Sequence, residues 1–259
     1  MGSDPFFSDR LGLFAGRVRE FGDVTSTSDI VAAWADAGGE EGLVAVADSQ
    51  SRGRGRLGRA WSSPPGAGIY LSMLLRPPAT TVPFLTLAAG VAVSEGIEAA
   101  SGLETILKWP NDVCRARTDG TWRKLAGILA EARSGPNQVR HVVLGVGINV
   151  RTAPHPMDVS ARATSLDEEV GRPVDRSRVI LECLASMASR YRGLIAGDRA
   201  SVLDAWTARA RPTFGRQVVW DADGRDVAGT VDGIDASGAL LLRTDSGLRR
   251  VTAGEVKWT

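Results

Sequence analysis

The pattern of apolar and polar positions divides the chain into two parts of different texture. From residue 25 to about residue 211, apolar residues follow helical spacing in some segments and form short buried runs in others. Helices are predicted over residues 25–38, 83–101, 175–197 and 199–211. Strands are predicted over residues 43–48, 68–76, 105–109, 124–133 and 141–150. This mixture predicts an α+β domain in which helices pack on a sheet.

The C-terminal part has a different pattern from the rest of the chain. After Pro212, short segments of alternating polarity are separated by the turn sequences DG, DASG and DSG. Such segments predict a small β-barrel as a separate module. Residues 1–23 are short and polar, and they predict an extension with one helical turn. The predicted organisation is therefore an extension over 1–23, a main domain over 24–211 and a C-terminal domain over 212–259.

Composition and charge exclude several classes of protein. The chain has 259 residues with 31 basic and 30 acidic side chains, and a formal charge of +1 argues against a protein that coats nucleic acid. No apolar run approaches the roughly 20 residues of a membrane helix, and the N-terminus lacks the pattern of a secretory signal. Two cysteines and two histidines without CxxC spacing do not indicate zinc. We expect a cytoplasmic location and no membrane partner.

Residues 51–68, SRGRGRLGRAWSSPPGAG, form the most distinctive segment of the sequence. The glycines fit GxGxxG, but the segment runs into prolines rather than a helix, so a dinucleotide fingerprint is not predicted. A P-loop is excluded because GK[ST] is missing. Arginines on a glycine-permissive backbone suit phosphate or carboxylate oxygens, and here they are Arg52, Arg54, Arg56 and Arg59. The alternative interpretation is an exposed loop or a set of RNA-contacting arginines.

A second segment, LKWPND at residues 107–112, ends a predicted strand in a rigid turn. Pro110 favours an extended conformation for the residue before it, and the turn then presents Lys108, Asn111 and Asp112. A carboxylate and an amide beside a lysine suit a Mg2+-bound phosphate or a ribose. The alternative is a simple turn, because Asn and Asp are common in turns.

Two further strands carry candidate chemistry. In KLAGILAE, Lys124 stands at the start of an apolar strand whose small residues, Gly127 among them, allow a ligand to approach the backbone. The alternative for this lysine is a solubilising residue at a strand edge. In LGVGINV, two glycines interrupt a buried strand that ends in Asn149, and close packing explains them as well as a ligand does.

The order of these segments carries more information than any one of them. TSTS at 25–28, QxxGRGRLGRxW at 50–61, KWPND at 108–112, KLAGILxE at 124–131 and GVGINV at 145–150 together resemble the biotin protein ligase family. The resemblance covers residues 25 to about 211, and the C-terminal module matches the family's layout. It implies a mixed, largely antiparallel sheet with helices, similar to the class II aminoacyl-tRNA synthetase core, followed by an SH3-like barrel.

The resemblance also implies an activity. Biotin protein ligases make biotinyl-5′-AMP from biotin and MgATP, and then pass the biotinyl group to one lysine of a carrier domain. The implied partner is the biotin carboxyl carrier protein domain of an acetyl-CoA or acyl-CoA carboxylase or of pyruvate carboxylase. Because 23 residues cannot supply the three helices of a DNA-binding domain, we expect a ligase without a repressor role. We also expect a monomer or a weak homodimer.

By the same resemblance, particular residues take particular roles. Catalysis is expected from Arg56, Arg59, Lys108, Asp112 and Lys124, with Asp112 also placing Mg2+. Biotin is expected to contact Ser26, Thr27, Ser28, Gln50, Gly53, Arg54, Gly55, Arg56, Lys124 and Gly127. ATP is expected to contact Arg54, Arg56, Arg59, Trp61, Asn111, Lys124 and Asn149, with Trp61 beside the nucleotide. Ser28 departs from the family, which commonly has asparagine there.

Two other functions stay open at this point. A lipoate ligase shares the fold and the adenylation chemistry, although such enzymes generally lack the RGRGRLGR loop. An RNA-binding module would use the arginine loop and the small barrel, and its affinity would fall steeply with salt and owe nothing to biotin.

Overall fold

A seven-stranded sheet lies at the centre of the computed structural model, which describes residues 9–135, 139–153, 161–222 and 224–258. Its strands are β1 (Val18–Val24), β2 (Val44–Gln50), β3 (Gly68–Leu75), β4 (Ile106–Lys108), β5 (Asp112–Ala116), β6 (Trp122–Ser134) and β7 (Val139–Asn149). They lie in the order β1-β2-β3-β7-β6-β5-β4. β1 is parallel to β2, and the other neighbouring pairs are antiparallel. The predicted mixed, largely antiparallel sheet is confirmed.

Helices cover both faces of this sheet. They are α1 (Thr27–Asp36), α2 (Leu85–Ser101), α3 (Leu166–Val170), α4 (Arg176–Ile195) and α5 (Arg199–Ala210). On one face α1 packs against Ala45 and Leu74, and on the other face α2 and α4 share a core with Val46 and Met73. Successive side chains of a strand point to opposite faces, so each apolar strand supplies both layers. This explains why β3 is buried at every position.

The helical segment Val82–Ser101 bears on the expectation that no apolar run is long enough for a membrane helix. It is 20 residues long and contains an 18-residue stretch with a mean hydropathy of 1.3, so by length and composition alone it could cross a membrane. However, 67% of that stretch is buried inside the fold. Gly96 lets α4 approach so closely that a Cβ there would lie 2.5 Å from Sγ of Cys183. The segment therefore packs as a core helix.

A second, smaller sheet follows the main one. It consists of β8 (Gln217–Asp221), β9 (Asp226–Ile234), β10 (Leu240–Thr244), β11 (Gly247–Val251) and β12 (Val256–Trp258). Its strands are antiparallel and lie in the order β11-β10-β9-β8-β12. Within the described residues β11 and β12 are the two edges, so the closed SH3-like barrel stays a prediction.

Three elements lie where the apolar pattern predicted none. β1 spans the boundary drawn between residues 23 and 24, and it pairs with β2 over six residue pairs from Val18↔Val44 to Val24↔Gln50. Residues 18–23 are therefore part of the sheet, whereas residues 1–8 of the predicted extension lie outside the described residues. β5 and α3 are the other two elements, and β5 forms a hairpin with β6.

Candidate functional site

The register of the sheet brings the candidate residues into one row. Ser72 of β3 pairs with Gly145 of β7, and two residues along β7, Gly147 pairs with Gly127 of β6. Gly127 in turn pairs with Asp112 of β5. At about 4.8 Å between strands, the row spans roughly 14 Å from β3 to β5. Polar side chains lie at its two ends and glycines at its centre.

One end of the row is neutral, and we call Thr27, Ser28, Gln50 and Ser72 the hydroxyl end. The backbone N–H and the hydroxyl of Thr27 both donate to Oε1 of Gln50, at 2.8 and 3.1 Å. The hydroxyl of Ser72 lies 2.8 Å from that of Thr27 and 3.1 Å from that of Ser28. Ser26, at the N-terminal cap of α1, is buried beside them. The helix start thus places these hydroxyls against β2 and β3.

The centre of the row is a glycine floor, formed by Gly127 and Gly147, on which the indole of Trp61 lies. A Cβ on Gly147 would lie 2.5 Å from Cε2 of Trp61, and one on Gly127 would lie 2.8 Å from its Cζ3. The close approach expected for a ligand on Gly127 is therefore made by Trp61. Among the described residues, Nε1 of this indole is buried without a hydrogen-bond partner.

The other end of the row is charged, and we call Arg56, Lys108, Asp112 and Lys124 the charged end. Nζ of Lys124 lies 2.5 Å from Oδ1 of Asp112, and Nζ of Lys108 lies 3.7 Å from Oδ2. Burial lowers the pKa of Arg56, and the Asp112 carboxylate acts in the opposite direction. Lys124 also lies over the Trp61 ring, 5.3 Å from its centroid. This end therefore concentrates three cations around one carboxylate.

The charged end does not fit a magnesium site built by the protein. Both oxygens of Asp112 face lysine ammonium groups, and the residues that the structure describes contain no group of three or more Asp, Glu, His or Cys suited to a metal. Mg2+ prefers several oxygen ligands in near-octahedral geometry. Asp112 as placed here orients lysines.

The arginines of the 51–68 segment reach toward both ends of the row. Arg54 bonds to Asp29 at 2.5 Å and to Glu131 at 3.2 Å; burial opposes its charge, but these carboxylates raise its pKa overall. Arg56 donates to the carbonyl of Gly254 at 3.2 Å. The segment is thus held by carboxylates of the main domain on one side and by a carbonyl of the C-terminal domain on the other.

Glycines shape the same segment. The N–H of Gly55 donates to the carbonyl of Arg59 at 2.7 Å, which closes a tight turn. A Cβ on Gly53 would lie 2.6 Å from the carbonyl oxygen of Trp61 and 3.0 Å from Nε2 of Gln50. Gly53 therefore leaves the space that Gln50 and Trp61 occupy.

Two asparagines brace the strands that carry the site. Nδ2 of Asn111 donates to the carbonyl of Ile128 at 2.8 Å, while its Oδ1 lies 3.4 Å from a guanidinium nitrogen of Arg56. Nδ2 of Asn149 donates to the carbonyl of Thr164 at 3.0 Å and lies 3.5 Å from that of Lys124. Asn149, expected at an adenine pocket, thus ties the end of β7 to the backbone of Lys124.

The C-terminal sheet contributes residues that the sequence did not reveal. Glu255 pairs with Arg59, and Trp258 lies 5.7 Å from Nζ of Lys108. In addition, the indole N–H of Trp109 donates to the carbonyl of Gly238 at 3.1 Å. Residues of both sheets therefore surround the charged end. These residues are so far apart in the sequence that no local sequence pattern could predict their contacts.

Two further missed residues lie in the main domain. Arg176 donates to the carbonyls of Ala47 and Gly68 at 2.8 and 2.9 Å, and so joins the middle of β2 to the start of β3. Ser72 is fully buried in the otherwise apolar run GIYLSMLL. A small polar residue such as serine in a run of this kind was a usable signal.

Comparison with known proteins identifies the class. Residues 21–149 match the model of the biotin/lipoate A/B protein ligase family, and residues 213–257 match the biotin protein ligase C-terminal domain. The chain belongs to the biotin protein ligase family.

Individual relatives agree with this assignment. The bifunctional ligase/repressor BirA of Bacillus subtilis is 35% identical over 90% of this chain and 71% of its own length. The biotin–[acetyl-CoA-carboxylase] ligase of Mycobacterium tuberculosis is 38% identical over 90% of this chain and 85% of its own. The structure of the Aquifex aeolicus biotin protein ligase in complex with biotin and ATP is 27% identical, with a TM-score of 0.78, over 94% of this chain and 99% of that one.

Proposed function

We propose that this chain activates biotin with MgATP as biotinyl-5′-AMP and transfers the biotinyl group to a lysine of a biotin carboxyl carrier protein domain. The observation that carries the proposal is the row itself: a neutral hydrogen-bonding end and a cationic end, separated by a glycine floor. Biotin has the matching polarity, with a neutral ureido ring at one end and a carboxylate at the other. A cytoplasmic location is part of the proposal.

At the neutral end, Thr27, Ser28 and Gln50 would hydrogen-bond the ureido ring, with Ser26 supporting the start of α1. Hydroxyls and an amide can both donate and accept, which suits a ring that carries N–H groups and a carbonyl. The fused rings and the valeryl chain would then lie above Gly127, after Trp61 has moved aside toward the nucleotide. Gly53 would leave room beside Gln50.

At the cationic end, the first reaction joins two anions. A carboxylate oxygen of biotin attacks the α-phosphorus of ATP, a new O–P bond forms, and the bond to pyrophosphate breaks. Arg54, Arg56 and Lys124 would neutralise the reacting oxygens, and preorganised charges of this kind are often the largest catalytic contribution. Arg59 would assist the departure of pyrophosphate once it exchanges Glu255 for phosphate. Gly55 would allow the loop to close over the phosphates.

In the second reaction the carrier lysine attacks the acyl carbon of the mixed anhydride. An amide bond forms, AMP leaves with the bonding electron pair, and the amine releases a proton to solvent. Asp112 would orient the incoming amine, with Lys108 and Lys124 balancing its charge. Asn111 and Asn149 would contribute to the nucleotide side by bracing β6 and β7. Magnesium enters with ATP as substrate, and no step is assigned to a protein-held metal.

A lipoate-protein ligase is the second candidate for this fold. Lipoate carries a dithiolane ring without N–H or carbonyl groups, so the polar groups of the hydroxyl end would meet no partner there. Burying unpaired polar groups costs roughly 1–3 kcal/mol each. The hydroxyl end therefore favours biotin.

The test uses the purified full chain with ATP, Mg2+ and either biotin or lipoic acid. We expect biotin-dependent release of pyrophosphate and biotinyl-AMP detected by mass spectrometry, followed by biotinylation of a carrier domain. Transfer of lipoate without transfer of biotin would overturn the proposal. Tight RNA binding without biotin-dependent pyrophosphate release would do so as well.

A further inference from the structure

Ser72 is the one member of the hydroxyl end that the expected biotin contacts did not include. It lies on β3 between Leu71 and Met73, and none of its surface is exposed. Its hydroxyl lies 2.8 Å from Oγ1 of Thr27 and 3.1 Å from Oγ of Ser28. Ser72 therefore lies beneath the two hydroxyls that would meet the ligand.

The direction of donation in this chain of hydroxyls follows from Gln50. Oε1 of Gln50 accepts the backbone N–H of Thr27, so the oxygen of its amide must face Thr27. The hydroxyl of Thr27 lies 3.1 Å from the same oxygen and must donate to it, because a carbonyl oxygen only accepts. The single hydroxyl proton of Thr27 is thereby committed.

The remaining protons are fixed in turn. Since Thr27 has no proton left for Ser72, the 2.8 Å contact between them requires Ser72 to donate. Ser72 then has no proton for Ser28, and the 3.1 Å contact requires Ser28 to donate. On its other side, Nε2 of Gln50 donates to Oγ of Ser63 at 3.1 Å. Donation thus runs one way, from Ser28 through Ser72 and Thr27 to Gln50 and Ser63.

This order determines what the hydroxyl end offers a ligand. Ser28 and Thr27 have spent their protons inside the protein, so only lone pairs remain on their oxygens. Gln50 retains the second hydrogen of its amide nitrogen. The surface therefore presents acceptors on α1 and a donor on β2, the complement of a cyclic urea with N–H groups and a carbonyl.

We propose that Ser72 is a positioning residue that sets this polarity and so selects ligands with N–H groups facing α1. The inference rests on the proposed function. Without the Ser72 hydroxyl, Ser28 loses its acceptor and can turn its proton toward the ligand, where a donor would meet a donor. Gly145 belongs to the same arrangement, since a Cβ there would lie 3.2 Å from Oγ of Ser28 and 3.6 Å from Oγ of Ser72.

The experiment compares Ser72→Ala with Ser94→Ala in the biotin-dependent release of pyrophosphate. Ser94 is a matched control, because it is also buried and shares a 2.7 Å hydroxyl–hydroxyl hydrogen bond with Thr105. For Ser72→Ala we expect the KM for biotin to rise about tenfold, which corresponds to about 1.4 kcal/mol, while kcat and the KM for ATP stay within twofold. Ser94→Ala should leave all three constants unchanged, even if its melting temperature falls as much as that of Ser72→Ala.

A second ligand and a second variant make the test independent of overall stability. Desthiobiotin keeps the ureido ring but lacks the sulfur, so its affinity should fall by the same factor in Ser72→Ala. Ser72→Cys keeps the unbranched shape of the side chain with a somewhat larger sulfur, and it replaces a strong donor with a weak one. It should give an intermediate KM, and it serves if the alanine variant does not fold.

The outcomes separate this inference from the proposed function. An unchanged KM for biotin in Ser72→Ala or Ser72→Cys would overturn the role of Ser72, as would a loss of kcat alone or an equal rise of KM in Ser94→Ala. If the unaltered chain makes no biotinyl-AMP, the proposed function itself fails.

Discussion

The two ends of the row hold their polar groups in opposite ways. At the hydroxyl end, Thr27, Ser28 and Ser72 are buried, neutral and bonded to one another at 2.8–3.1 Å. At the charged end, the side chains of Asp112 and Lys124 are 18% and 30% exposed, and their charges are balanced by ion pairs. Glu255, just before β12 of the other sheet, adds a carboxylate that pairs with Arg59 of the neighbouring arginine segment.

The difference indicates two ways of preparing a site. Buried neutral hydrogen bonds fix the geometry before the ligand arrives, and a ligand adds to them. Partly exposed ion pairs instead hold the cations on carboxylates of the protein, and substrate anions can take the place of those carboxylates when they arrive. The hydroxyl end would thus select the ligand, whereas the charged end would exchange partners during the reaction.

The largest expected effect is at the charged end. Lys124→Ala removes the cation nearest Asp112, and adenylate formation should fall roughly 100- to 1000-fold, as for other preorganised charges. Biotin binding measured by calorimetry should change little, because the hydroxyl end is intact. Lys257→Ala is the matched control, since Lys257 is exposed and 4.0 Å from Asp226. Normal turnover in Lys124→Ala would refute the division between the two ends.

An intermediate effect is expected where the two ends meet. In Gly147→Ala the new Cβ would overlap the Trp61 ring, and overpacking costs about 1–3 kcal/mol. We expect the indole to be displaced from the floor, with a changed Trp fluorescence spectrum and a KM for biotin raised about tenfold. Gly193→Ala, where a Cβ meets nothing within 4 Å, is the control. An unchanged fluorescence spectrum and an unchanged KM would show that biotin does not bind over the glycine floor.

A smaller effect is expected from Glu255→Gln, which removes the partner of Arg59 from the C-terminal sheet. The Arg59 side chain is 63% exposed and that of Glu255 is 30% exposed, so the free energy of unfolding should change by less than about 1 kcal/mol. Proteolysis within residues 51–68 should accelerate several-fold in the absence of ligand, and biotin with ATP should restore protection. Asp232→Asn, which breaks the surface pair with Arg243, should leave the cleavage rate unchanged. Equal cleavage in both variants would contradict the holding role of Glu255.

The smallest effect concerns pH and the turn that supports Trp109. Burial opposes the charge of Asp235, but hydrogen bonds from Ser237 and Arg250 outweigh it and lower its pKa to about 2. Because the folded pKa is depressed, the stabilisation is present above the ordinary pKa of an aspartate and is lost as the pH falls toward 2. Thermal unfolding of Asp235→Asn should therefore differ from that of the unaltered chain at pH 6, and the difference should shrink by pH 2. A difference that grows on acidification would contradict this.

The sequence by itself determined most of the elements and named many of the chemical groups of the site. Helical and strand periodicities located α1, α2, α4 and α5 and most strands of the main sheet. The motifs around Gln50, Arg56, Asp112 and Lys124 named groups that the fold brings into one row. These signals are local, because side-chain direction repeats every two or 3.6 residues and is readable in a short window.

Tertiary structure decided which groups satisfy one another. Thr27 and Ser72 meet across 45 positions, and Arg59 and Glu255 meet across 196. The edge strand β1 was missed as well, since its exposed positions leave no clear apolar alternation. Hydrogen bonds and ion pairs depend on atomic distances of about 3 Å. Those distances exist only after strands have taken their register, so a hydroxyl in an apolar run acquires its role from its neighbours in space.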